Sequence, residues 1–472
     1  MGLFTGNLFL AVSNRHTTRA LLDEARSLRY QLSDFWFNHF NVSHNKIGSK
    51  LLYQYLPVIE NHMMGSFHTL LSATAHSPQM LLYLENYNSG AKREALINQA
   101  EAEANRQCPT GMANRRACIR RVTTHIIQAH LHEITVNENY ARELIELHTF
   151  GQGPGVEYFQ HAVEASAQIL SGWSINWGVH DSFRFRPKAH IEGDKSLFVN
   201  PHIYIRSGGQ EEGETLLRHL AHHPATARNI SNKLVRRFVS ENLVAMEPLI
   251  RRMTRTFLST GGDLPSLYRV LFSSREFWST DSYRSKAVRP FDRHVRMARS
   301  LGIKVDPAAS NYSEQIDRLF RISAEIVRRS RMDGQPIFSC EPPTGYPDDS
   351  SHWLSPGSAI SSVISGFQAE DIGFNPESYL PVDSQFSLSD SVWLAFFKNH
   401  PHAPTLDKIR MDSVLSLLNE RFDFELLTGE KATERNLYTL YPDRMLQGAE
   451  YQLLPVRTQM TLYFGSEKGS TY

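Results

Sequence analysis

A chain of 472 residues with 41% hydrophobic, 11% aromatic and 21% charged residues has the composition of an ordinary globular protein, which excludes a disordered, fibrous or coiled-coil chain. Lysine and arginine total 50 against 49 aspartates and glutamates, so the summed field is close to neutral and argues against a nucleic-acid partner. No stretch approaches the roughly 18 consecutive apolar residues that span a bilayer, so no membrane-spanning segment is expected.

The length exceeds the size at which one core stops growing, and predicts a helical body over 1–333 with a loop-rich lobe over 334–472 packed on it. The N-terminal "MGLFTGNLFLAVSNRH" has an apolar patch without a preceding basic region or small-residue cleavage site, so it does not read as an intact secretory signal. Gly6 stands where N-myristoylation needs Ser or Thr. Apolar spacing predicts a helix from Thr17 to about Phe40 and another from about Ser49 to Ala75, with breaks near Pro57 and Gly65. Ser77 and Pro78 read as an N-cap and first helical residue.

Residues 91–133 are charged and alanine-rich with an interruption at 108–113, and read as a helical hairpin inserted into the body. Arg115, Arg116, Arg120 and Arg121 fall in it; like Arg328, Arg329 and Arg331, they read as a solvated helix face. Cys108 and Cys118 flank "PTGMAN" and either close a short disulfide loop in an oxidising compartment, leaving Cys340 over, or remain free thiols. Three cysteines without histidine at ligand spacing give little support to a zinc site.

After a motif at 137–151 and the helical "YFQHAVEASAQILSGW", the region 174–209 alternates enough to hold a short β-hairpin, ended by Gly208 and Gly209. Helices then resume, with Asp263 a clear N-cap before Pro265 and Gly302 a C-terminal stop. From about 334 to 381 proline, glycine, serine and aspartate are dense, which predicts a long loop laid over the helices. Further helices are expected near 389–399 and 404–421. The fold class read from this pattern is mainly α, a large multi-helix body with a short β-hairpin region and a loop-rich C-terminal segment.

The motif "NENYARELIELHTFG" concentrates the chemistry. At about 100° per residue Asn139, Arg142, Glu143 and Glu146 share one stripe, with Tyr140, Ala141, Leu144 and Ile145 opposite. As scaffold, Asn137 or Asn139 caps the helix, Arg142 and Glu146 form an i, i+4 pair, and Gly151 ends it. As chemistry, Glu143 and Glu146 point the same way and could bind a metal or share a proton if the face were buried. His148 lies on the apolar side and reads as a hydrogen-bonded core histidine rather than a partner of the glutamates. Asp34, Asn38 and His39 in "SDFWFNHF" are further candidates, His39 being equally readable as part of an aromatic cluster. His222 and His223 read as peripheral residues at a helix entry, and His180 with Asp181 lacks any serine or cysteine nucleophile elbow.

The order "NENYARELIELHTFG", "YFQHAVEASAQILSGW", "HIEGDKSLF", "HLAHHPATARNISNKLVRRFV", "GGDLPSLYRVLFSSREFW" and "GQPIF…PPTGYP…W", over about Leu32 to Trp353, resembles the bacterial domain-of-unknown-function family 1800. The resemblance implies a large, mostly helical, exported protein of the cell envelope, periplasm or exterior, often encoded beside a sulfatase- or phosphatase-like protein, and implies no established reaction. Glu85 stands where the family would have aspartate, and Ala162 where it shows an acidic residue. Where it shows His-Asp before a glycine and a lysine, this chain has His190, Ile191, Gly193 and Lys195.

Two functions follow as expectations. As an accessory protein, the chain binds another exported protein through its helical body and proline-rich loop. As an enzyme, Glu143, Glu146, Arg142 and His190 carry catalysis on an extracellular polymer, with Asn139, His39 and Lys195 binding substrate. The cofactor is open; a divalent metal is compatible with the carboxylates but is not the favoured reading.

Overall fold

Backbone N–H and C=O groups that leave water must be paired, and a chain of helical periodicity pairs them locally. The computed structural model describes residues 2–22, 27–152, 160–178, 181–279, 282, 286–300 and 312–353, and these are mainly helical. The first half holds α1 (Gly2–Leu22), α2 (Ser27–His39), α3 (His44–His62), α4 (Phe67–Ala75), α5 (Pro78–Tyr83), α6 (Ala91–Gln107), α7 (Arg115–Ala129), α8 (Asn139–Glu143) and α9 (Gln160–Ile169). After the strands come α10 (Gln210–Ala221), α11 (Pro224–Phe238), α12 (Glu247–Ser259), α13 (Leu264–Phe272), α14 (Pro290–Ser300), α15 (Tyr312–Met332) and α16 (Ser350–Trp353).

Two expectations need correction. The run from Thr17 to Phe40 is divided between α1 and α2, because both helices carry the same apolar spacing and periodicity alone does not mark the join. The non-helical region holds two antiparallel hairpins instead of one: β1 (Trp173–Asn176) pairs with β2 (Ser182–Phe185), and β3 (Lys195–Leu197) with β4 (Ile203–Ile205). β1 is hidden in the sequence because its alternation, "WSIN", is only four residues long and follows closely on α9. Its Trp173 is fully buried against His76 and Phe183.

The local signals behave as their chemistry dictates. Ser66, Ser77 and Asp263 accept the N–H of Thr69, Met80 and Ser266 at 3.2, 3.2 and 2.9 Å. α3 begins at His44, yet Gly48 at φ 77° kinks it, so its regular part starts where the periodicity does, and it runs on through Pro57. Around α2 the core is aromatic. Trp36 donates to the Tyr268 hydroxyl at 2.6 Å, which donates to the Met63 carbonyl at 2.8 Å, so the polar tips of two large buried rings are paired.

α6 and α7 pack on each other as the expected hairpin, and Cys108 is bonded to Cys118, with Cα atoms 6.0 Å apart. Segment 334–353 lies over α2: the Asn38 amide donates to the Tyr346 carbonyl at 2.9 Å and accepts the Tyr346 N–H at 2.7 Å. Gly345 there has φ 70°, and a Cβ would run into the Asn38 carbonyl. Gly302 and the helices expected near 389–399 and 404–421 lie outside the described residues, as does the loop beyond 353.

Denatured without reductant, the protein should titrate with one thiol, that of Cys340, and with three after reduction. Three thiols before reduction would exclude the bridge. Reduction should loosen the 108–118 loop by roughly 2–3 kcal/mol, read as faster amide exchange in α6 and α7.

Candidate functional site

Residues 137–151 divide into three local environments. In the first, Asn137 Oδ1 accepts the Asn139 N–H at 2.9 Å, an Asx turn that starts α8. Asn137 Nδ2 donates to the carbonyls of Leu84 (3.3 Å) and Glu85 (3.1 Å), and Asn139 Nδ2 to that of Leu84 (3.4 Å). These amides clamp the turn after α5, where Glu85 sits at φ 62°, a conformation that costs a non-glycine residue about 1–2 kcal/mol. The aspartate expected at this position tolerates it better than glutamate. Beside the turn opens a groove of about 410 Å³, lined by Lys46, Glu85, Tyr87, Asn88, Lys92 and Asn137 among others.

The second environment is the charged stripe. Arg142 meets Glu138 at 3.3 Å and Glu146 at 3.4 Å, as the i, i+4 spacing requires, and donates to Gln160 at 2.9 Å. Glu146 also accepts from Gln152 at 2.5 Å. Glu143 is half-buried; burial and then the charge of Glu146 raise its carboxyl above the usual range against the opposing pull of Arg142. Its charge is also felt by the buried Tyr83.

The third begins at Leu144, where the helix widens into a π-helix, Leu144–Thr149. Phe150 N–H bonds the Ile145 carbonyl, five residues back, at 2.8 Å, and Thr149 Oγ1 bonds the Leu144 carbonyl at 2.8 Å. Three successive carbonyls at its end are taken by other elements. Lys233 Nζ donates to Leu147 (3.1 Å), the His39 ring to His148 (3.1 Å) and Asn229 Nδ2 to Thr149 (2.7 Å). Lys233 Nζ also lies 3.1 Å from His39 Nδ1, so the network assigns a neutral His39 that donates from Nε2 and accepts at Nδ1. Gly151 follows at φ 86°, and a Cβ there would lie 2.7 Å from the Asn229 side chain.

Electrostatics agree with this assignment. Burial, then the charges of Lys233 and His148, hold His39 well below the usual imidazole value; burial and Lys233 bring His148 down to about 3. The Lys233 amine is lowered to about 8, chiefly by burial, with Asp348 opposing. His148 is in the core as expected, but its Nε2 has no hydrogen-bond partner among the described residues.

His190 and Lys195 converge elsewhere, on Glu212 of α10. Glu212 Oε1 accepts from His190 Nε2 (3.1 Å) and the Gly208 N–H (2.9 Å), and Oε2 from Lys195 Nζ (2.5 Å). Burial would raise the Glu212 carboxyl; Lys195, the Gly208 amide and His190 outweigh it and hold it low. Lys195 also donates to the Ile191 carbonyl, so at the position of the absent aspartate the backbone supplies the acceptor. The seven residues read from the sequence therefore occupy three places: Asn139, Arg142, Glu143 and Glu146 on one partly exposed stripe, His39 in the seam behind it, and His190 with Lys195 on Glu212.

Residues 5–435 match the model of the family described as "Protein of unknown function (DUF1800)". The chain belongs to this family. No curated protein and no solved structure is matched. Among the described residues of this DUF1800 protein, no group of three or more His, Cys, Asp or Glu is placed to hold a metal ion.

One buried constellation of the DUF1800 chain escapes sequence reasoning. Arg237 on α11 meets Asp292 at 2.9 Å, Asp34 at 3.1 Å and Asp348 at 3.2 Å, with Arg289 also on Asp34 and Asp292. Asn229, Lys233 and Arg237 stand at i, i+4 and i+8, so one stripe of α11 makes both the Arg237 contacts and those to the π-helix. The spacing was visible, but the exposed Arg228 and Arg236 on the same helix look no different in the sequence.

Arg237→Leu should cost about 3–5 kcal/mol, because it strands buried carboxylates, and should lower the denaturant midpoint accordingly. For His148 the native state favours the neutral ring, so the unfolded chain takes up the proton first, near pH 6.5. Unfolding free energy should fall as pH drops from about 6.5 toward 3, by up to about 1.4 kcal/mol per pH unit for this ring, and His148→Gln should flatten the slope measured by urea titration. An unchanged slope would place His148 in contact with water.

Proposed function

We propose that this protein is an accessory of the bacterial cell envelope that binds another exported protein. What supports the reading is the internal engagement of the charges a reaction would need: Arg142 with Glu138 and Glu146, His190 and Lys195 with Glu212, His39 with Lys233 and the π-helix. The Cys108–Cys118 bridge fits an oxidising compartment. Phe198 and Tyr204, 54% and 52% exposed around the outer face of the β3–β4 hairpin, are the kind of aromatic side chain that anchors interfaces.

One observation favours a second reading, an enzyme acting on an extracellular polymer. Glu143 keeps its proton to higher pH than an ordinary carboxyl and is partly accessible, as a general acid must be.

The purified protein should co-elute with the sulfatase- or phosphatase-like protein encoded beside such chains, and Phe198→Ala with Tyr204→Ala should weaken the complex at least tenfold. Glu143→Gln and Glu146→Gln should shift the thermal midpoint by about a degree, Glu146→Gln through the loss of about 0.5–1 kcal/mol of pairing with Arg142, and elemental analysis should find no stoichiometric metal. Failure to co-elute, together with a hydrolytic activity abolished in Glu143→Gln, would reverse the ranking.

A further inference from the structure

The inserted hairpin carries a charge pattern that its own stability does not explain. α7 has four arginines, Arg115, Arg116, Arg120 and Arg121, and no acidic residue. Arg115 and Arg116 open its first turn, at the positive end of the helix dipole, where cations are disfavoured, and Arg120 and Arg121 follow in the second. Arg115 is used at the tip, bonding the Cys108 carbonyl at 3.0 Å and Asn105 at 2.8 Å. Arg116, Arg120 and Arg121 are exposed, and among the described residues no carboxylate pairs with them.

The neighbouring helix does not neutralise them. The three glutamates of α6 are turned to other cations: Glu94 to Arg186, Glu101 to Lys188 at 2.7 Å and Glu103 to Arg106 at 2.7 Å. α7 packs mainly on α6, which stands on the body through the 3-10 turn Pro187–Ala189. The tip between the bonded cysteines presents Met112, 44% exposed. The arm, closed at its tip by the disulfide, therefore offers three uncompensated arginines and an exposed thioether, on a chain whose total charge is +1.

We propose that the α6–α7 arm docks the protein on an anionic phospholipid surface, the arginines meeting headgroup phosphates and Met112 entering the interface. Charge complementarity selects the anionic surface, and the apolar tip favours a lipid interface over a nucleic acid or a dissolved polyanion. The inference does not depend on the accessory reading, since neither the β3–β4 aromatics nor Glu143 enters it.

The test is sedimentation with vesicles of phosphatidylglycerol and phosphatidylcholine against vesicles of phosphatidylcholine alone. Binding to the first and not the second is expected, weakening as salt is raised. Each arginine should contribute about fivefold, so Arg116→Gln, Arg120→Gln and Arg121→Gln together should weaken it on the order of 100-fold. The triple variant should keep its thermal midpoint and its disulfide, and Met112→Ser should weaken binding less. Equal binding to both vesicles, no binding to either, an unaltered triple variant, full competition by millimolar inorganic phosphate, or tighter binding to duplex DNA than to the anionic vesicles would each overturn the proposal.

Discussion

The polar ladder of Asn229, Lys233 and Arg237 on α11 is the constraint around which the rest is arranged. Each rung satisfies groups that would otherwise be stranded: the carbonyls of Thr149 and Leu147, the ring of His39, and the carboxylates of Asp34, Asp292 and Asp348. Through them α11 is tied to α2, to the π-helix, to α14 and to segment 334–353. An ion cluster of this kind adds little net stability over well-packed apolar residues, because desolvation consumes most of the attraction. What it supplies is register. A slip of α11 by one residue would strand several buried charges at once, whereas an apolar stripe would tolerate the slip.

The π-helix makes sense against that ladder. Widening the helix leaves carbonyls aimed sideways, and a π-turn persists only where something accepts that geometry. Lys233, His39 and Asn229 supply three donors to three consecutive carbonyls, and Gly151 removes the Cβ that would push Asn229 away. The amine of Lys233, lowered to about 8, and the neutral rings of His39 and His148 are consequences of sealing this seam from water. A perturbed group here reports burial first, and a reaction would need in addition an opening through which a substrate reaches it.

Much of this was readable in the residues, for identifiable reasons. Caps at Ser77 and Asp263, the inserted hairpin, the Arg142–Glu146 pair and the burial of His148 all depend on local spacing, which the sequence displays directly. The second hairpin was not readable, because the alternation of β1 lasts only the four residues Trp173–Asn176 and follows directly on α9. The π-turn was equally hidden: its cause lies on α2 and α11, some 80 to 110 residues away along the chain. Burial of the Arg237 cluster is likewise a property of packing partners, and Asn229, Lys233 and Arg237 differ from their exposed neighbours only in what faces them. Whether Glu143 and Glu146 form a site was undecidable from sequence for the same reason.

The His190–Glu212–Lys195 network takes on a different meaning once its position is considered. His190 follows directly on Pro187–Ala189, the turn on which α6 stands, and Gly90 at the base of α6 admits the Ala189 carbonyl so closely that no Cβ would fit. Lys188 reaches Glu101 and Asn98 on α6, while two residues on, His190 is locked to Glu212 of α10. The buried network on Glu212 thus lies beside the footing of the arm, with Lys188 bonded to α6 and His190 to α10 within three residues of backbone. His190 and Lys195, grouped in the sequence with Glu143 and Glu146, are thereby joined in space to the base of the arm. Polar groups on these elements are satisfied inward, while the arginines Arg116, Arg120 and Arg121 of α7 and the rings of Phe198 and Tyr204 are left exposed.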